Sequence, residues 1–205
     1  MAEDRLTTSG GAMRAYYERR ATEYDDWWEG TGRFADRDRP GWAAEREALR
    51  ALLAALPPAR TLDVACGTGY LARSLPGELT LLDQSPAMVE IAGGRIPHAR
   101  ATVGEAVPLP FADTAFERVV TGHFYGHLQP DEAAAFAAEA RRVGSELVVI
   151  DSADDPPREE WQERVLDDGS SHQVYKRFFT GASLAGELGG EVLHDGRWFV
   201  VVRAT

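Results

Sequence analysis

The chain has 205 residues, 44% hydrophobic and 27% charged, which fits one globular domain and excludes a disordered or fibrous polypeptide. A formal net charge of −11 argues against nucleic acid as a partner, because the densest basic clusters, Arg19-Arg20, Arg141-Arg142 and Lys176-Arg177, are only pairs; a neutral or cationic small molecule meets no such barrier. No apolar stretch approaches a bilayer span, the Met-Ala-Glu-Asp-Arg start lacks the apolar core of a secretory signal, and one cysteine suits a reducing cytoplasm.

The first ten residues, ending Thr-Thr-Ser-Gly, read as a frayed tail. From Met13 to about Trp28, Tyr17, Ala21, Tyr24 and Trp28 recur at helical spacing, and Gly30, Gly32 and Pro40-Gly41 then mark a loop. A second helix runs from Trp42 to Leu56 with Ala44, Ala48, Leu52 and Leu56 as its stripe, stopped by Pro57-Pro58. Thr61 to Ala65 reads as a buried strand, Gly69 to Leu75 as a helix, and Leu79 to Leu82 as a second strand. Ser85-Pro86 supplies an N-cap and first turn for a helix through Ile91. Ala101 to Val103 and Arg118 to Thr121 are the third and fourth strands. Pro130-Asp131-Glu132 opens a helix that ends in Arg141-Arg142 before Gly144, so both ends suit the helix dipole. Glu146 to Ile150 is a fifth strand, and the β-α-β-α rhythm predicts a doubly wound, mostly parallel α/β sheet.

The end of the chain breaks that rhythm. Thr180 to Leu188 reads as a helix, then Glu191 to Leu193 and Trp198 to Val202 as a hairpin turning at Asp195-Gly196. Residues 152–179 are too rich in aromatics and charge to be a plain linker.

Gly67-x-Gly69-x-x-Ala72 follows a strand, and glycines there let the backbone turn sharply and approach a ligand. That pattern also fits a dinucleotide fingerprint, so a nicotinamide-dependent oxidoreductase stays open. Asp63 separates the two: inside the strand, its charge would repel a pyrophosphate and attract an amino-acid ammonium. Asp83, at the tip of the second strand, can accept both hydroxyls of a ribose. Glu105, just past the third strand, can accept from an adenine amino group while the Ala106 N–H meets a ring nitrogen.

Together Asp63, Gly67, Gly69, Asp83 and Glu105 resemble the class I S-adenosylmethionine-dependent methyltransferases, from about residue 42 to the closing hairpin. Ala65 stands where many members have the first glycine, and Glu105 where Asp is commoner. The resemblance implies a Rossmann-like, seven-stranded sheet with helices on both faces and S-adenosylmethionine as cofactor. It adds Ala65, Gln84, Met88 and Thr121 to the cofactor contacts. Tyr16-Tyr17-x-x-Arg20-Ala21-x-x-Tyr24-Asp25 is similar to the N-terminal lid of small-molecule members, so residues 1–40 are expected as tail and helical lid and 41–205 as the catalytic unit. Tyr17 and Tyr24 would then cover the donor, aromatic faces favouring a sulfonium.

The acceptor should lie beside Thr121-Gly-His-Phe-Tyr-Gly-His-Leu, after the fourth strand. The Asn/Asp-Pro-Pro-aromatic motif of nucleobase N-methylating members is missing there. A small-molecule oxygen, nitrogen or carbon is the expected target, with His123 and His127 as candidate bases if a proton must leave, and His172 as a further cleft candidate. No metal-ligand spacing is present. A protein that binds the cofactor without chemistry, as a partner of another enzyme, is the remaining alternative; a monomer or homodimer is expected.

Overall fold

The computed structural model describes residues 14–166 and 168–205, so the tail expected over the first ten residues lies outside the described region, as does Met13. Strands β1 (Ala59–Val64), β2 (Gly77–Asp83), β3 (Arg100–Val103), β4 (Phe116–Gly122) and β5 (Gly144–Ser152) pair in parallel. Strands β6 (Arg158–Val165) and β7 (Ser171–Phe178) form a separate antiparallel hairpin. Strand β8 (Glu191–Asp195) turns back into β9 (Phe199–Ala204), which inserts antiparallel beside β5. The seven-stranded order is β3-β2-β1-β4-β5-β9-β8, so the expected doubly wound sheet and closing hairpin are both present.

Successive strand side chains point to opposite faces, which splits the apolar residues of β5 and β9 between two cores. Leu147, Val149, Val200 and Val202 face one core, and Val148, Ile150, Phe199 and Val201 the other. The helices, in chain order, are α1 (residues 14–20), α2 (Tyr24–Glu29), α3 (Trp42–Ala54), α4 (Pro86–Arg95), α5 (Pro130–Val143) and α6 (Gly181–Leu188). Phe136 and Val143 of α5 and Leu184 of α6 fill the first core. Trp28 of α2, Leu49 and Leu53 of α3 and Ala92 of α4 fill the second. Local caps hold the helix starts: Ser85 accepts from the Met88 N–H at 3.2 Å, and Thr180 from the Ser183 N–H at 3.1 Å.

Three expectations need correction. No α-helix follows the glycine loop over Gly69–Leu75; only a single 3₁₀ turn forms at Ala72–Ser74. Two left-handed glycines (Gly67, φ 53°; Gly69, φ 72°) and Pro76 leave too few residues to nucleate one. The N-terminal helix is not continuous, since a 3₁₀ turn at Ala21–Glu23 separates α1 from α2. The buried stripe of α3 is Trp42, Leu49 and Leu53, continued by Leu56; Ala44 and Ala48 are exposed, because the larger apolar side chains take the core. Residues 152–179 hold the β6–β7 hairpin, which stands outside the main sheet.

Phe136 is fully buried, with edge-on rings from Phe124 at 5.3 Å. Phe136→Ala should therefore destabilise the chain by about 3–5 kcal/mol in urea unfolding, and a loss below about 1 kcal/mol would contradict its place in the core.

Candidate functional site

A cavity of about 320 Å³ opens at the carboxyl ends of β1, β2, β3 and β4, where an open α/β sheet presents its loops to a ligand. Its floor is the loop after β1. Ala65 there takes φ 55°, a left-handed conformation that costs a residue with a Cβ about 1–2 kcal/mol and that glycine adopts freely. A Cβ on Gly67 would lie 3.4 Å from the Tyr24 ring, so this glycine lets the backbone and the ring share one wall.

Asp83 organises the floor. One carboxylate oxygen accepts the Gly67 N–H and the other the Ser85 N–H, each at 2.9 Å, so it ties the β1 loop to the turn before α4. Burial raises its pKa, against the pull of those backbone donors. Gln84, Met88, Glu105 and Ala106 complete this end of the cavity.

Asp63, Gly69 and Thr121 do not line the cavity. Gly69 faces Ala92 and Ile96 of the helix behind it, and the Thr121 hydroxyl donates to the Val64 carbonyl at 2.8 Å. Asp63 is buried beneath the loop at 4% exposure; desolvation, then the neighbouring Asp83 charge, push its carboxyl up to about 8. An unpaired acid so placed is stabilised by a cation arriving above it.

The N-terminal segment closes over this loop through hydrogen bonds to the loop itself. Thr68 donates to Asp25 at 2.6 Å, Tyr70 to Glu29 at 2.6 Å, and Ser85 to Glu18 at 2.5 Å. Arg95 of α4 bonds both the Thr68 carbonyl and Asp25. The Tyr70 ring also stacks on Trp28 with centroids 4.9 Å apart. Tyr17 and Tyr24, 6.4 Å apart, thereby reach the cavity wall.

Both expected histidines line the opposite end. His127 Nδ1 lies 2.7 Å from the Tyr175 carbonyl, an acceptor, so Nδ1 carries the proton and Nε2 is free to accept. His123 takes φ 56° and sits edge-on to Trp27 and Trp28, with Nδ1 3.3 Å from the Ser152 hydroxyl and a buried Nε2 that has no partner. Burial drives both imidazoles down to about 3, and the Lys176 charge adds to the effect. Both are neutral at physiological pH and poor proton acceptors. His172 stays outside this cavity, against the Tyr16 ring at 5.2 Å.

Reading the residues alone missed the buried pair behind the histidines. Asp151 accepts from Lys176 Nζ, from the Gly126 N–H at 2.7 Å and from the Ser152 N–H at 2.7 Å. Burial opposes the Asp151 charge, yet Lys176 and His123 hold its carboxyl below the usual carboxylate range. A charged residue ending β5 and a lysine inside the apolar run Val174-Tyr-Lys-Arg-Phe-Phe were the available signals. Among the described residues, no three His, Cys, Asp or Glu side chains converge as metal ligands, and no helix is long and apolar enough to cross a membrane.

Residues 61–146 match a family model described as a methyltransferase domain. A demethylmenaquinone methyltransferase of Thermotoga maritima is 34% identical over 103 residues, covering 48% of this chain and 44% of that protein. One from Beutenbergia cavernae is 33% identical over 117 residues, covering 54% and 48%. The chain spans less than half the length of the curated relatives it matches. A solved structure described as a DhpI-SAM-HEP complex superposes with a TM-score of 0.73 at 26% identity, over 94% of this chain and 95% of that one. The magnesium protoporphyrin IX methyltransferase of Synechocystis, with bound SAH, shares the fold at a TM-score of 0.60 and 15% identity, over 93% and 96% of the two chains.

The Asp63 environment has a measurable consequence. Unfolding returns the carboxyl from about 8 to its ordinary 3.8, so the folded chain holds this proton more tightly. Its contribution to stability is full below pH 4 and is lost as pH rises to about 8. Asp63→Asn removes that slope. Between pH 5 and pH 8.5 the variant should gain on the parent by a few kcal/mol in urea unfolding. A stability difference between the two proteins that is the same at both pH values would contradict the placement.

Proposed function

We propose, from its membership of the class I S-adenosylmethionine-dependent methyltransferases, that this chain moves a methyl group from S-adenosylmethionine to a small molecule. The observation that carries this is Asp83, an almost fully buried carboxylate at the tip of β2 beside a glycine loop, with Glu105 across the cavity at the end of β3. Each Asp83 oxygen spends one lone pair on a backbone N–H and keeps another for a ribose hydroxyl. Glu105 and the Ala106 N–H take the adenine edge, and Gln84 and Met88 flank it.

The donor's other end is a cation, and the residues around it suit one. Asp63 offers an unpaired buried acid below Ala65–Gly67 for the amino-acid ammonium. Tyr17 and Tyr24 offer ring faces to the sulfonium. When bound, S-adenosylmethionine supplies a methyl group activated for in-line displacement by its positive sulfur.

The chain's own part is placement and exclusion. The bonds Thr68–Asp25, Tyr70–Glu29 and Ser85–Glu18 latch α1 and α2 over the cavity as a lid, which keeps water from the reacting atoms. His127, its Nδ1 proton fixed on Tyr175, presents Nε2 as a hydrogen-bond acceptor that orients the substrate. With both histidines pushed to about 3, neither removes a proton from a neutral hydroxyl efficiently, so alignment carries the rate. The relatives named demethylmenaquinone methyltransferases support a small acceptor, as does the net charge of −11.

Calorimetry with S-adenosylhomocysteine tests the donor site. The parent chain should bind it, and Asp83→Ala should weaken binding at least about tenfold through loss of two charge-assisted hydrogen bonds, with Asp83→Asn in between. No binding by the parent would sink the proposal, and unchanged affinity in Asp83→Ala would remove the ribose role.

A further inference from the structure

We propose that Arg20, a buried positive charge behind the Tyr24 ring, sets the preference of the donor site for the demethylated product over the cationic donor. This rests on the donor site described above and deepens it. The Arg20 guanidinium lies over the Tyr24 ring, 5.0 Å from its centroid, and over the Tyr16 ring at 5.6 Å. Its Nη1 donates to the Tyr16 hydroxyl at 2.9 Å. Tyr24 lines the donor cavity beside Gly67 and Arg20 does not, so the guanidinium acts on a ligand across the ring rather than by contact.

Arginine is almost never fully buried unless it is paired, and a chain with 33 acids to 22 lysines and arginines supplies partners easily. The buried Arg118 and Lys176 each hold a carboxylate, Glu146 and Asp151. Arg20 is only 8% exposed, yet no carboxylate lies within ion-pair reach of it among the described residues. A guanidinium does not shed its proton in a protein, so the charge stays, held by the faces of the two tyrosines. The Tyr24 ring therefore already faces one cation, and a second one brought into the cavity by a ligand is repelled.

The donor and its product differ in one charge. Both carry the amino-acid ammonium and carboxylate, on which Arg20 acts alike, and only the donor adds a positive sulfur. In a site shielded from water that repulsion is screened little, so the neutral thioether of the product is preferred. The same charge helps the transfer. As the methyl–sulfur bond breaks, its electron pair returns to sulfur and the repulsion from Arg20 fades. An interaction less unfavourable in the transition state than in the bound donor raises the rate of the chemical step at the expense of donor affinity.

The test is calorimetry on the full chain with S-adenosylmethionine and, separately, with S-adenosylhomocysteine, no acceptor being present. The quantity read is the ratio of the two dissociation constants, donor over product. Arg20→Met should lower that ratio at least about fivefold. Arg20→Gln, which can still donate to Tyr16, should lower it to the same extent. Arg20→Lys and Tyr16→Phe keep the charge and should leave the ratio within about twofold of the parent. A role in packing alone, or a contact to the carboxylate that both ligands share, weakens the two ligands equally. A ratio unmoved in Arg20→Met and Arg20→Gln therefore overturns the proposal. Failure of the parent to bind either ligand overturns the donor site instead, and the two results are read separately.

Discussion

The carboxylate of Asp83 is the contact on which the site is built. It closes two backbone turns at once, taking the Gly67 N–H from the β1 loop and the Ser85 N–H from the turn before α4. A buried acid is costly without donors, and these two amides offset part of that cost at the mouth of the sheet. The turn geometry they enforce requires a left-handed Gly67, and the same turn carries Thr68 and Tyr70 outward to meet Asp25 and Glu29. The N-terminal segment is thus fastened to the very loop that forms the floor.

Around the floor stand Asp63, Asp83 and Glu105, with the Tyr17 and Tyr24 rings beside them and the buried Arg20 guanidinium over the Tyr24 ring at 5.0 Å. Beyond His123 the buried Asp151 carboxylate is paired with Lys176. Shielding such a site from water strengthens every electrostatic interaction inside it.

Much of this was legible in the chain alone, and the exceptions have physical reasons. Strands β1, β2, β4 and β5 are short apolar runs between glycines and prolines, and Asp195-Gly196 announces the closing turn, so the sheet could be traced. Asp83 and Glu105 were legible because they end strands, where polar side chains face a ligand rather than a core. The β6–β7 hairpin was not: the half-buried face of β6 is Glu160, Gln162 and Arg164, while its apolar Trp161 and Val165 face solvent, the reverse of the usual pattern. The helix expected after Gly69 failed because the left-handed Gly67 and Gly69 and the following Pro76 leave too short a run to nucleate one. Asp63 was read correctly as a strand acid, yet strand parity turns it beneath the loop rather than into the cavity. The Asp151–Lys176 pair needed the fold itself, since 25 residues separate its members.

The most direct measurement is a crystal structure of the chain with S-adenosylhomocysteine. The ribose should rest on Asp83, the adenine beside Glu105 and Ala106, and the sulfur between Tyr24 and the His123 wall, with residues 14–29 closed above. A ligand bound with Asp83 more than a hydrogen bond away would contradict the donor site and the chemistry drawn from it.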